Sequence, residues 1–155
     1  MTTACSHVGL CVTDLERSRR FYEDVFGFRA AFDFKTEDDA TARLLGLTPP
    51  IALTAVYLWI PGLLLELLDI QSAAPPPQRM RRVLNEPGLT HLSLFVDDVA
   101  EVLVAVSRCG GRVREETNIG AAVFVEDPDG QAIEVLQAGS PFSEMRRRSL
   151  GGEQA

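Results

Sequence analysis

The chain has 155 residues, 46% of them hydrophobic, and a formal net charge of -7. That is enough apolar material for one domain, or two small halves sharing a core, without staples. The acidic balance excludes a sequence-independent grip on nucleic acid, and no apolar run is long enough to span a bilayer.

Three cysteines, Cys5, Cys11 and Cys109, show no CxxC spacing. They suit reduced thiols, buried as small hydrophobes, in a cytoplasmic protein. The basic clusters Arg79 to Arg82 and Arg146 to Arg148 are short and carry no nucleic-acid or membrane expectation. The expected partner is a small-molecule substrate.

Taken in order, Cys5 to Val12 predicts the first strand, and Asp14 an N-cap for a helix in which Leu15, Ser18, Phe21, Tyr22, Val25 and Phe26 recur at helical spacing until Gly27. Phe28 to Phe34 predicts a second strand, and Thr36 to Leu47 a polar excursion with a short helix over Asp39 to Leu45. Ile51 to Ile60 and Leu63 to Ile70 predict a hairpin around Pro61-Gly62. Ser72 to Pro77, with three consecutive prolines, reads as a linker, and Gln78 to Asn85 as a short helix within it.

After Pro87-Gly88 the order begins again. Leu89 to Val96 predicts a strand, Asp97 or Asp98 a cap, Val99 to Cys109 a helix, and Gly110-Gly111 its stop. Arg112 to Thr117, Ala121 to Glu126 and Gln131 to Leu136 predict three more strands, the last two joined by Asp127-Pro128-Asp129-Gly130. His7 precedes Asp14 and Gly27 by the same intervals at which His91 precedes Asp98 and Gly111. The longer interval from His7 to Glu66 than from His91 to Glu134 is accounted for by the excursion before Ile51. Each half therefore places a histidine in its first strand and a glutamate in its last. From Gly139 onward no apolar period remains, which predicts a flexible tail over 139–155.

His7, Glu66, His91 and Glu134 each interrupt an apolar run, and the two histidines are the only ones in the chain. An unpaired buried carboxylate costs several kcal/mol or loses its charge. Two imidazoles and two carboxylates at matching positions of a repeat instead suit one divalent metal ion, such as Ni, Co, Mn, Zn or Fe, with room for water or substrate. Ala55, Tyr57, Trp59, Phe95 and Phe124 are candidates for an aromatic pocket lining. Arg29, Lys35, Arg43 and Arg112 are candidates for binding an anionic group.

The doubled strand-helix-strand-strand-strand unit, with Ser6-His7-Val8-Gly9-Leu10, Phe21-Tyr22-Glu23-Asp24-Val25-Phe26-Gly27-Phe28, Leu65-Glu66-Leu67-Leu68, Thr90-His91-Leu92-Ser93-Leu94-Phe95-Val96-Asp97-Asp98 and Asp127-Pro128-Asp129-Gly130-Gln131-Ala132-Ile133-Glu134-Val135, resembles the vicinal oxygen chelate superfamily of glyoxalases, bleomycin resistance proteins and dioxygenases. The resemblance implies an α+β fold. A single domain over residues 1–138 would be made of two βαβββ modules, about 4–71 and 89–138 with a linker at 72–88, forming a cup-shaped mixed sheet around a metal site.

The resemblance implies His7, Glu66, His91 and Glu134 as the ligands, in an order most similar to that of glyoxalase I. It also implies a metal-dependent lyase or isomerase of the glyoxalase I or methylmalonyl-CoA epimerase type. In such an enzyme the metal stabilises an enediolate during proton transfer on a small carbonyl or thioester substrate, and Glu134 or Glu66 acts as the base. An extradiol-type dioxygenase and an antibiotic-binding resistance protein are the alternatives within the same superfamily. A homodimer is expected, as open sheet edges in this superfamily pair across subunits.

Overall fold

The computed structural model describes residues 3–72 and 83–149. Its elements are β1 (Val8–Cys11), α1 (Leu15–Phe26), β2 (Arg29–Thr36), α2 (Asp39–Leu44), β3 (Ile51–Ile60), β4 (Leu63–Ser72), β5 (Leu92–Val96), α3 (Val99–Arg108), β6 (Arg112–Val113), a 3-10 turn (Glu115–Thr117), β7 (Ala122–Glu126), β8 (Ala132–Gln137) and α4 (Pro141–Ser149). The strands form two four-stranded mixed sheets, ordered β1-β4-β3-β2 and β5-β8-β7-β6. In each, the first strand runs parallel to the last and the other pairings are antiparallel. This α+β arrangement is that of the repeated unit read from the sequence.

Contacts divide the chain into two compact units, Met1–Arg19 with Phe28–Arg79 and Arg20–Gly27 with Met80–Ala155. The division departs from the repeat boundary, because the second half of α1 groups with the second unit. The reason lies in its side chains. The Tyr22 hydroxyl donates to Asp127 Oδ2 at 2.9 Å, and a Cβ built on Gly111 would stand 2.6 Å from Phe21 Cε2.

Helix α1 starts where Asp14 Oδ1 accepts from the Arg17 backbone N–H at 3.0 Å, and ends at Gly27, whose φ of 69° suits a residue without Cβ. Asp98 caps α3 in the same way, accepting from the Glu101 N–H at 3.1 Å. In the first unit Val56, Leu58, Leu65 and Leu67 are buried on one face of the sheet, so the period of two turns Tyr57, Leu64, Glu66 and Leu68 to the other. In the second unit Val123, Val125, Ile133 and Val135 are buried, and Phe124 and Glu134 alternate with them.

Several expectations need correction. His7 and His91 each stand one residue before the strand that the sequence assigned them to. The strand expected over Arg112 to Thr117 stops at Val113. Beyond it the backbone folds into the 3-10 turn, and the Thr117 hydroxyl accepts from the Phe124 N–H at 2.9 Å. Pro141–Ser149 is helical where no regular structure was expected. Ser140 precedes a proline in the first helical position, and its carbonyl accepts from the Glu144 N–H at 3.1 Å. Cys5 and Cys11 are exposed rather than buried. The expected linker helix over Gln78 to Asn85 falls mostly outside the described residues, and Val83 to Asn85 are not helical. Among the described residues no helix is long and apolar enough to cross a membrane.

Candidate metal centre

Parallel pairing sets Gly9 beside Glu66, and antiparallel pairing sets Tyr57 on the other side of the same carboxylate. His7, two residues before Gly9, shares that face. Its Nε2 lies 3.2 Å from Glu66 Oε2. The Tyr57 phenol donates to Glu66 Oε1, and its ring meets that of His7 edge-on, with centroids 5.6 Å apart at 90°. Phe32 stacks on Tyr57 with centroids 4.2 Å apart. Burial, reinforced by the bond to Glu66, pushes the Tyr57 phenol up to about 12, so the hydroxyl remains a donor through the ordinary pH range.

The second unit repeats this arrangement with one exchange. Ser93 stands beside Glu134 and Phe124 opposite it. His91 Nε2 lies 3.6 Å from Glu134 Oε2, and the His91 and Phe124 rings meet edge-on at 5.1 Å and 87°. Here the hydroxyl on the carboxylate comes from the neighbouring strand, since Ser93 Oγ donates to Glu134 Oε2 at 2.7 Å. In the first unit it comes from the aromatic residue, and glycine takes the place of serine.

Each histidine is preceded by a hydroxyl residue that holds its inner nitrogen. Ser6 Oγ lies 3.0 Å from His7 Nδ1, and Thr90 Oγ1 lies 2.8 Å from His91 Nδ1. The tautomer that donates Nδ1–H to the hydroxyl leaves a lone pair on Nε2, directed at the carboxylate side. Ser6, Thr90, Gly9, Ser93 and the hydroxyl of Tyr57 were not singled out from the sequence. Superposing the two repeats on their histidines would have found the first four.

The donor chemistry fits a divalent first-row ion. Two ligands about 2.1 Å from one ion, at tetrahedral or octahedral angles, stand roughly 3.0 to 3.5 Å apart. The imidazole–carboxylate separations in the two pairs lie at or near that range. Each pair supplies two donors, and among the described residues no three His, Cys, Asp or Glu side chains gather into one metal-sized group.

Of the other candidates, Arg112 binds Glu126 at 2.6 Å through Nη2 and at 2.8 Å through Nε. Arg29 lies 6.0 Å above the ring of Trp59, which is half-exposed. Phe95 stacks on Phe142 of α4 and receives Arg146 over its ring.

Residues 4–135 match the model of the Glyoxalase/Bleomycin resistance protein/Dioxygenase superfamily. A lactoylglutathione lyase of Haemophilus influenzae is 31% identical over 140 residues, covering 84% of this chain and 90% of that protein. A glyoxalase family protein from Bacillus cereus superposes with a TM-score of 0.77 at 15% identity, covering 88% of this chain and 95% of the other. The trypanothione-dependent glyoxalase I of Leishmania major gives 0.66 at 22% identity, covering 97% and 99%. Through the match over its two repeats, the chain belongs to the Glyoxalase/Bleomycin resistance protein/Dioxygenase superfamily.

Proposed function

We propose that this protein is a metal-dependent lyase or isomerase that moves a proton on a small carbonyl or thioester substrate. His7, Glu66, His91 and Glu134 together would hold one divalent first-row ion. The observation that carries the reading is the doubled imidazole–carboxylate pair, at 3.2 Å in one unit and 3.6 Å in the other, each imidazole backed by a hydroxyl on Nδ1. A relative named for lactoylglutathione supports a small acyl group carried on sulfur as the substrate class.

A divalent ion held there would supply Lewis-acid stabilisation of the negative charge that develops when a proton leaves a carbon α to a carbonyl. The protein's own part is to take and return that proton. Glu134 takes the proton from the carbon that bears it and returns it, to the neighbouring carbon of a hemithioacetal, whose hydroxyl proton passes to the other oxygen, or to the same α carbon of a thioester, so that in either case one C–H bond breaks, one forms, and the enzyme is unchanged. The stacked Phe32 and Tyr57 rings offer an apolar surface beside His7 for the substrate's carbon skeleton. The protein acts as a homodimer, an assembly suited to sheets that end on edge strands.

Elemental analysis of gently purified protein beside Glu66→Gln and His91→Ala tests the ligand set. The wild type is expected to carry a first-row ion that both variants lose. Loaded wild type should also exchange solvent deuterium into a 2-oxo-aldehyde hemithioacetal or a 2-methyl acyl thioester. A wild type that holds no such ion and cannot be loaded with one overturns the proposal.

A further inference from the structure

Helix α4 leads back over the second sheet. Along β5 Leu94 is buried while Ser93 and Phe95 are exposed, so Phe95 points to the side on which Ser93 donates to Glu134 Oε2. Phe142 stacks on Phe95 with ring centroids 6.1 Å apart, and Arg146, one turn further along α4, stands 6.0 Å over the same ring. The helix therefore lies on the side of the sheet that carries His91 and Glu134. Leu136 faces the same way as Glu134, pairs with Phe95 and is buried. This side is thus closed at the α4 end and open at Glu134, whose side chain is 28% exposed.

The arginines of α4 are not equivalent. Arg147 is taken by Glu144 at 2.7 Å, whereas Arg146 has no carboxylate partner among the described residues. A guanidinium held by a ring spends none of its N–H donors on a carboxylate. In a chain of net charge -7, a fixed and unneutralised cation marks where an anion gains most.

We propose that Arg146 is a specificity-determining residue: it receives the anionic group, a carboxylate or a phosphate, of a substrate whose reacting carbon lies at Glu134. The inference rests on the reading above, in which the substrate reacts beside His91 and Glu134. Two residues along a strand span about 7 Å, so Phe95 and the guanidinium over it stand within a small thioester's length of Ser93 and Glu134. The planar fork of arginine matches the oxygens of either anion. Substrates without such a group would keep the reacting end and lose this second hold.

The test follows binding of three unreactive thioethers to the full-length, isotope-labelled protein through the NMR shifts of the Ser93 and Phe95 amides. The probes are propylthiopropionate, its neutral amide, and propylthioethyl phosphate. Wild type is expected to bind at least one anion about fivefold more tightly than the amide, the upper range for an exposed ion pair. The anion that gains more identifies the group, and added salt should shrink the preference. Arg146→Gln should abolish the preference and bind the amide as wild type does, Arg146→Lys should keep part of it, and Arg147→Gln all of it.

The inference is overturned if wild type prefers neither anion, if Arg146→Gln retains the preference, or if Arg147→Gln abolishes it. It is equally overturned if Arg146→Gln weakens all three probes alike, the mark of a packing role. None of the probes turns over or needs a metal. A wild type that takes up no first-row ion therefore defeats the metal-dependent reading through the elemental analysis, while these ratios judge Arg146 separately.

Discussion

At the scale of single residues, the room around Glu66 is set by Gly9. A Cβ at that position would stand 3.3 Å from Glu66 Oε2 and 3.4 Å from Leu68 Cδ1, tighter than ordinary contact. Gly9→Ala should therefore push the carboxylate off its line to His7 without disturbing the fold. The expected result is a roughly tenfold loss of metal affinity, by analogy with loss of a supporting partner, with circular dichroism unchanged. Wild-type affinity in that variant would show that Glu66 has room to spare. The hydroxyls behind the histidines lead to a second expectation. Ser6→Ala and Thr90→Ala each free an imidazole to rotate and to adopt the other tautomer, and each should weaken metal binding by about 10- to 100-fold in a chelator competition. The two imidazole–carboxylate pairs were legible in the sequence because each member interrupts an apolar run, where a charged or imidazole group is costly to bury. Tyr57 was legible only as an aromatic pocket candidate. Its role depends on facing Glu66 across β3 and β4, as Phe124 faces Glu134 across β7 and β8, and loops of different length hide that equivalence in the sequence.

At the scale of elements, the short β6 is fastened to β7 by Glu126. Its Oε1 accepts from Arg114 at 2.7 and 2.5 Å, and its Oε2 from Arg112 at 2.8 and 2.6 Å. Arg114 is 6% exposed, so removing the charge opposite it leaves a buried guanidinium uncompensated. Glu126→Gln should cost about 3 kcal/mol in a urea melt, the usual price of breaking one side of a buried pair. Burial alone would raise the Glu126 carboxyl, but the bonds and charges of Arg112 and Arg114 outweigh it and hold the group below the ordinary glutamate range. Its folded value lies below its unfolded one. Its contribution is therefore present above the unfolded value and lost as pH falls through the folded value. Wild-type stability should decline on acidification through that window, and Glu126→Gln should lack that part of the slope. Asp127 behaves oppositely, because burial raises it despite the N–H groups of Gln131 and Asp129 and the hydroxyl of Tyr22. Measuring the slope on Glu126→Gln beside wild type keeps the Asp127 contribution common to both. Elements with a clear apolar period were read closely from the sequence, and α1 and β3 match residue for residue. Helix α4 was missed because its exposed Arg146, Arg147 and Arg148 leave no buried stripe, and β6 was overextended because alternation persists into a segment that turns.

At the scale of the whole molecule, the question is whether two imidazole–carboxylate pairs mean one ion or two. Each pair has only two protein donors, too few for a tight first-row site, whereas four donors match the usual ligand count. Under the proposed four-ligand reading the expected stoichiometry is one ion per chain, and His7→Ala and His91→Ala should each abolish tight binding. Two independent sites would instead give two ions in wild type and one in each variant. The double variant adds a sharper test, because ligands of one ion are strongly coupled. Losses in binding free energy should then fall well short of additive, whereas unrelated sites more than about 7 to 10 Å apart sum to within about 0.5 kcal/mol. The same logic extends to stability. A ligand that binds only the folded chain raises its stability by RT ln(1 + [L]/Kd). Chelator should therefore lower the melting temperature of wild type and leave both histidine variants where they were. Equal sensitivity of all three proteins to chelator would mean that the ion sits elsewhere, and that the histidines stand at the starts of β1 and β5 for another reason.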